Sequence, residues 1–244
     1  MGYLFLTAVV LFLILFFIVG IVVSTLAFFV GFFSPKHKDG INGAYVRFGL
    51  RGVLLFSGCS LEVIGREHIP AEAALFVGNH RSMFDIVALG PILSPPIGFI
   101  AKAELEKVPL LNGWMDRIHC LFLDRSDIKK GMQMILDATE LLKRGISLFI
   151  FPEGTRNTTK DALLPFHAGS FKMAFKAGTP IVPVVINGTK DVFEDHIPRI
   201  DRRKIRVEFG EPVYTKDMDR AGQKALPEKI RAWIEEKYLA HEEE

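Results

Sequence analysis

Charge is missing from the start of this chain: no ionised side chain occurs between Met1 and Pro35. A cleaved secretory leader would want a basic head, a shorter apolar core and a small-residue cleavage site, and the stretch has none of these. Cysteine is scarce as well, with only Cys59 and Cys120 among 244 residues. Two lone cysteines inside apolar stretches make no disulfide framework and have no metal-ligand spacing; they read as small core residues of a reducing compartment. The formal net charge is only +2. With no basic stripe interleaved with aromatics, nucleic acid is excluded as a partner. Three catalytic frames are also absent: the G-x-S-x-G elbow, the G-x-x-x-x-G-K-[ST] phosphate loop and any zinc-site pattern. A covalent serine or cysteine nucleophile therefore has no recognisable frame, and no metal or resident cofactor is expected.

What fills the N-terminus instead is "YLFLTAVVLFLILFFIVGIVVSTLAFFVGFF". Thirty helical residues would run about 45 Å. A hydrocarbon core is about 30 Å thick, so a single span must tilt or bend, and Gly20 is a candidate break into a re-entrant pair. Lys36, His37 and Lys38 follow at once, with Arg47 and Arg51 soon after. Positive charge on that side places the remainder on the cytoplasmic face of an inner membrane. In "GAYVRFGLRGVLLFSG" the two arginines share a narrow stripe, while Tyr45, Phe48, Val53 and Phe56 cover the broad remainder. That suits a helix at the membrane interface or packed beside the first one. Residues 1–58 are thus expected to form a membrane anchor of one or two helices, and residues 59–244 a cytoplasmic domain.

Beyond Pro70 short apolar runs alternate with helical patterns. Strands are expected at 61–64, 74–77, 98–101, 120–123, 147–151, 181–186 and 205–209. Helices are expected at 83–92, 110–118, 128–144, 170–177 and 227–240. For the helix at 128–144, Ser126 or Asp127 is the N-cap and Gly145 the stop. Such alternation predicts an α/β fold, a largely parallel sheet flanked by helices. Ligand sites in such sheets form beyond the carboxyl ends of the strands. The residues at those exits are Asn79-His80, Lys102, Asp124-Arg125, Glu153-Gly154-Thr155-Arg156 and Asn187.

A histidine followed five residues later by aspartate occurs three times: His80/Asp85, His119/Asp124 and His196/Asp201. His119 and Asp124 bracket a strand, which holds them about 17 Å apart. His196 and Asp201 flank Pro198 among arginines and read as a solvated turn. His80 leaves a strand, and Asp85 falls in the first turns of the next helix. With His80 in the bend, the aspartate can reach one imidazole nitrogen and hold the other unprotonated for general-base work. The proton then comes from a substrate hydroxyl. Arg156 in a glycine turn and Lys102 at a neighbouring strand exit suit a phosphate on that substrate. A salt bridge from Arg156 to Glu153, or a solvated loop arginine, is the plainer alternative.

These blocks resemble the glycerolipid acyltransferase family, over roughly residues 60–210. "NHRSMFD" looks like its H-x4-D motif. "KAELEKVPLLNG" with "FLDR" looks like its second block, "FPEGTR" like its third and "IVPVVI" like its fourth. A chance match to FPEGTR is on the order of 10⁻⁵ per chain at average residue usage. Asn157 stands where the family often has serine, and His167 where it usually has lysine. The resemblance implies that His80 is the base on the free hydroxyl of a lysophospholipid, oriented by Asp85. The alkoxide would attack a fatty-acyl thioester, either acyl-CoA or acyl-carrier protein, without an acyl-enzyme. Lys102, Glu153, Gly154, Thr155 and Arg156 would hold the glycerol phosphate. The acceptor so implied is 1-acyl-sn-glycerol 3-phosphate. Two alternatives remain: another acceptor, such as glycerol 3-phosphate or a different lysolipid, and a non-catalytic membrane-anchored phospholipid-binding module.

Overall fold

The computed structural model describes residues 1–94, 97–124 and 126–242. Two helices come first, α1 (Gly2–Gly31) and α2 (Pro35–Phe56). The α/β part then runs β1 (Ser60–Ile64), β2 (Leu75–Gly78), α3 (Phe84–Leu89), β3 (Ile97–Lys102), α4 (Leu111–Arg117), β4 (Leu121–Leu123), α5 (Ile128–Lys143), β5 (Ser147–Ile150), α6 (Lys172–Ala177), β6 (Ile181–Asn187), β7 (Lys204–Phe209) and α7 (Arg220–Glu242). The seven strands form one sheet in the order β1-β7-β6-β2-β5-β3-β4. Every neighbouring pair is parallel except β6 with β7. This is an α/β fold with a largely parallel sheet. Strands β2 to β6 accordingly end at one edge, while β1 and β7 begin there.

The central strands explain their own sequence. Every residue of β2 and β6 is buried, as expected for strands covered on both faces, so they read as continuous apolar runs rather than alternating ones. One apolar cluster packs Phe76, Phe84, Leu89, Phe149 and Val207 on one side of the sheet. A second packs Leu75, Leu142, Phe171, Ile230 and Ile234 on the other. Val9 of α1 and Val53 of α2 belong to the first cluster, so the N-terminal helices cover a face of the sheet.

α1 is long and apolar enough to cross a membrane. It is one unbroken helix, which corrects the expected break at Gly20; the chain reverses at Phe32–Ser34. Gly20 is buried because Trp114 and Tyr45 lie against it, where a Cβ would come within 2.8 Å of the indole. α2 returns beside α1. The Phe16 and Tyr45 rings stack at 4.5 Å, and Tyr45 Oη donates to the Phe16 carbonyl at 2.6 Å. The pair is therefore an antiparallel helical hairpin.

One expected helix boundary holds and another shifts, each for local reasons. Asp127 caps α5 by accepting from the Lys129 and Lys130 amides, and Gly145 follows at φ +85°. α7 begins at Arg220, not at Pro227, because Asp219 accepts from the Gly222 amide at 2.7 Å and starts the helix early. Pro227 lies inside it. The last two glutamates lie outside the described residues.

Candidate active site

The site grows from the end of β2. Gly78 is wedged between two strands: a Cβ there would lie 2.8 Å from the Phe149 ring and 3.2 Å from the Val184 carbonyl. Asn79 follows, fully buried. Its amide donates to the Ile186 carbonyl and its oxygen accepts from the Ile186 N–H, both at 2.8 Å. A side chain thus continues the ladder to β6 while the backbone turns away. That turn delivers His80 at the strand edge.

His80 is gripped from three sides. Its backbone N–H donates to Glu153 Oε1 at 2.7 Å, and its carbonyl accepts from the Asn157 N–H at 2.7 Å. The imidazole lies on the Phe151 ring at 4.1 Å between centroids. Its Nδ1 lies 2.7 Å from Asp85 Oδ2. Asp85 is wholly buried and accepts from further donors: the Arg81 N–H at 2.8 Å, the Ser82 N–H at 3.0 Å and Thr189 Oγ1 at 2.5 Å. An acceptor so fixed makes Nδ1 the protonated nitrogen. Nε2 is then the atom with a lone pair for a substrate, on an imidazole side chain that is 20% exposed.

The 151–157 turn supplies the second wall. Gly154 sits at φ +69°, a left-handed conformation that a side chain would strain. Lys102 Nζ, from the exit of β3, donates to Thr155 Oγ1 at 3.2 Å. Arg156 Nη1 pairs with Glu194 Oε1 at 3.0 Å, its side chain 46% exposed. Glu153 occupies a different place from the one expected of it. It is 3% exposed, and its second oxygen accepts from the Leu164 N–H at 2.8 Å. Burial pushes its carboxyl pKa up, opposed by the two amides that face it. Glu153 is a strut that locks the His80 backbone to the turn, which corrects the expectation that it holds phosphate. It is also not the partner of Arg156; Glu194 is.

The other strand exits do not join. Asp124 accepts from Ser126 Oγ and Lys130 Nζ, contacts that hold its pKa below the usual carboxylate range. Arg125 lies outside the described residues. Asn187 turns to the far side, where its amide donates to the Tyr238 carbonyl. His119 meets Asp39 of α2 at 3.3 Å, not Asp124. His196 and Asp201, expected as a solvated turn, come within 3.5 Å of each other in a partly exposed cluster with Arg199. Several site residues escaped sequence reasoning. Thr189 lies just past β6, where the strand-exit rule could have found it. Glu194 belongs to no motif. Arg81 is buried, donates to the carbonyls of Thr159 and Asp161, and lies 5.2 Å from the Tyr238 ring centre.

Comparison with known proteins places the chain. The family model described as Acyltransferase matches residues 60–187, which contain every part of the site named above except Thr189 and Glu194. A Saccharomyces cerevisiae protein, "1-acyl-sn-glycerol-3-phosphate acyltransferase", is 31% identical over 179 residues, covering 72% of this chain and 59% of that protein. A protein of the same name from Salmonella typhimurium is 29% identical over 209 residues, covering 84% and 82%. The chain spans 59% and 64% of the yeast and Mycoplasma pneumoniae relatives. The crystal structure of the 1-acyl-sn-glycerophosphate (LPA) acyltransferase from Thermotoga maritima superposes with a TM-score of 0.76 at 23% identity, over 96% of this chain and 95% of that one. Fold and family model agree: the chain belongs to the acyltransferase family.

Proposed function

We propose that the chain transfers a fatty acyl group from an acyl thioester, acyl-CoA or acyl-carrier protein, to the free hydroxyl of 1-acyl-sn-glycerol 3-phosphate, forming phosphatidic acid. The observation that carries the reading is the His80–Asp85 pair, a buried carboxylate on Nδ1 with Nε2 left for the acceptor. His80 takes the hydroxyl proton as the oxygen attacks the thioester carbonyl. The tetrahedral intermediate then collapses, the C–S bond breaks, and the departing thiolate takes the proton back from His80. General-base assistance of this kind contributes about 10²–10⁴ in rate. An acyl-enzyme is not needed. Ser82 Oγ is turned to Glu194 and accepts from the Phe84 N–H, and Cys120 is buried with its thiol pKa pushed up to about 12.

Lys102, Gly154, Thr155 and Arg156 form the side that would receive the phosphate. Arg156 offers further donors beyond the one engaged by Glu194, and Gly154 keeps the backbone bare. The relatives' names support the lysophosphatidate acceptor.

The hairpin supports delivery from a lipid surface on the cytoplasmic side of an inner membrane. Gly2 accepts from the Ile200 N–H at 3.4 Å, Phe16 packs on Trp114 at 5.9 Å, and Asp39 reaches His119. The hairpin thus lies along the domain, and its outer face exposes Leu4, Leu11, Ile14, Ile18 and Phe29. With that face in lipid, both substrates' tails stay in the bilayer while the head group is read.

Purified protein in detergent, given acyl-CoA or acyl-carrier protein, tests the reading. It should acylate 1-acyl-sn-glycerol 3-phosphate in preference to glycerol 3-phosphate and to lysophosphatidylcholine. Preference for glycerol 3-phosphate would overturn the acceptor, and no turnover with any of them would overturn the enzyme reading.

A further inference from the structure

Glu194 lies outside the residues matched by the family model, in a short turn (Glu194–His196) between β6 and β7. Its carboxylate nevertheless bridges the two halves of the site. Oε2 accepts from Ser82 Oγ, Oε1 accepts from the Met83 N–H at 2.9 Å, and the same Oε1 takes Arg156 Nη1 at 3.0 Å. The first two donors sit in the bend that carries His80, two and three residues further on. The third is the cation of the 151–157 turn. The carboxylate is shielded, its side chain 12% exposed against 46% for Arg156. A half-exposed arginine otherwise samples many rotamers, and ordering it when substrate arrives costs affinity.

We propose that Glu194 is a positioning residue for the acceptor: it fixes Arg156 at a set distance from the His80 bend, so that phosphate and hydroxyl are held together. The inference rests on the phosphorylated acceptor of the proposed function. Glu194 engages one nitrogen of the guanidinium and leaves the rest of the fork for phosphate. It acts through Arg156, with the bend as its own anchor, and touches neither substrate.

Steady-state kinetics with both substrates varied test it, using Glu194→Ala, Glu194→Gln, Arg156→Ala and the double variant Glu194→Ala/Arg156→Ala. Glu194→Ala should raise the acceptor KM about tenfold, the scale of one hydrogen bond to a charged group, with the donor KM unchanged. Glu194→Gln keeps an acceptor for Met83 and Arg156 and should recover most of that loss. The double variant should be little worse than Arg156→Ala alone, because the carboxylate works through the arginine. Asp195→Ala, which removes the neighbouring pair to Lys190, should leave all constants at wild-type values. Additive losses in the double variant, or equal effects on both KM values, would overturn the inference. So would a lower acceptor KM in Glu194→Gln, which would make the carboxylate a competitor of the phosphate. A wild type that does not turn over the lysophosphatidate would overturn the function itself, a different failure from any of these.

Discussion

At the residue scale, two side chains from different motifs, one closing NHRSMFD and the other closing FPEGTR, are assigned separable jobs. Asp85 fixes a tautomer, and Arg156 meets a charge. Asp85→Asn should therefore depress kcat with little change in either KM, since its amide cannot accept from all four donors that now converge on the carboxylate. Arg156→Ala should instead raise the acceptor KM far more than the donor KM, by about 2–3 kcal/mol or tens to a hundredfold. Arg156→Lys should recover only part, because a point charge replaces a planar fork. Equal weakening of donor and acceptor in Arg156→Ala would mean that the turn merely holds the site together. Cys120 offers a check on the packing beneath the site. Burial raises its pKa to about 12, the direction that favours the protonated, unreactive thiol. One of the two cysteines should stay unlabelled by a thiol reagent at pH 8 until denaturant is added; prompt labelling of both would contradict the buried environment.

Among the elements, the helical hairpin carries the most testable packing. Gly49 and Gly52 of α2 make room for aromatic rings of α1: a Cβ would fall 2.5 Å from Phe16 at the first and 2.0 Å from Phe12 at the second. Gly49→Ala/Gly52→Ala must push the helices apart, an overpacking penalty of about 1–3 kcal/mol. Thermal unfolding in detergent should show a Tm lowered by several degrees, with proteolysis appearing first in the hairpin; an unchanged Tm would mean that the rings rotate freely out of the way. Deleting residues 1–33 should likewise yield an aggregating protein and not a soluble enzyme, because Val9 shares a buried cluster with Phe76 and Val207. All seven strands were legible from apolar runs bounded by polar exits, β2 and β6 most plainly, since a doubly covered strand advertises itself by composition. The start of α7 was not, because a proline at position 227 looked like a first-turn residue while the weaker signal of Asp219 lay upstream. In the site, His80, Asp85 and the 151–156 turn were legible because strand exits line one edge. Glu153 was misassigned, since its sequence neighbours say nothing of its inward direction. Thr189 and Glu194 were missed because their partners are more than 100 residues away, at Asp85 and Ser82.

For the whole molecule, the proposed function asks one arrangement to serve both lipid access and chemistry. The parallel strands β2, β3, β5 and β6 bring His80, Lys102, the 151–156 turn and Thr189 to one edge. The same edge holds the start of α1, where Gly2 meets Ile200 just ahead of β7, so the apolar hairpin begins at that edge and runs away from it along the sheet. Everything in this account depends on His80 being the base. The most direct measurement is single-turnover acyl transfer to 1-acyl-sn-glycerol 3-phosphate by His80→Ala, with His119→Ala and His196→Ala beside it. The chemical step should fall about 10²–10⁴-fold in the first, with membrane association intact, and stay near wild type in the other two. Retention of more than about a third of the rate by His80→Ala, against that expected loss, would contradict the assignment.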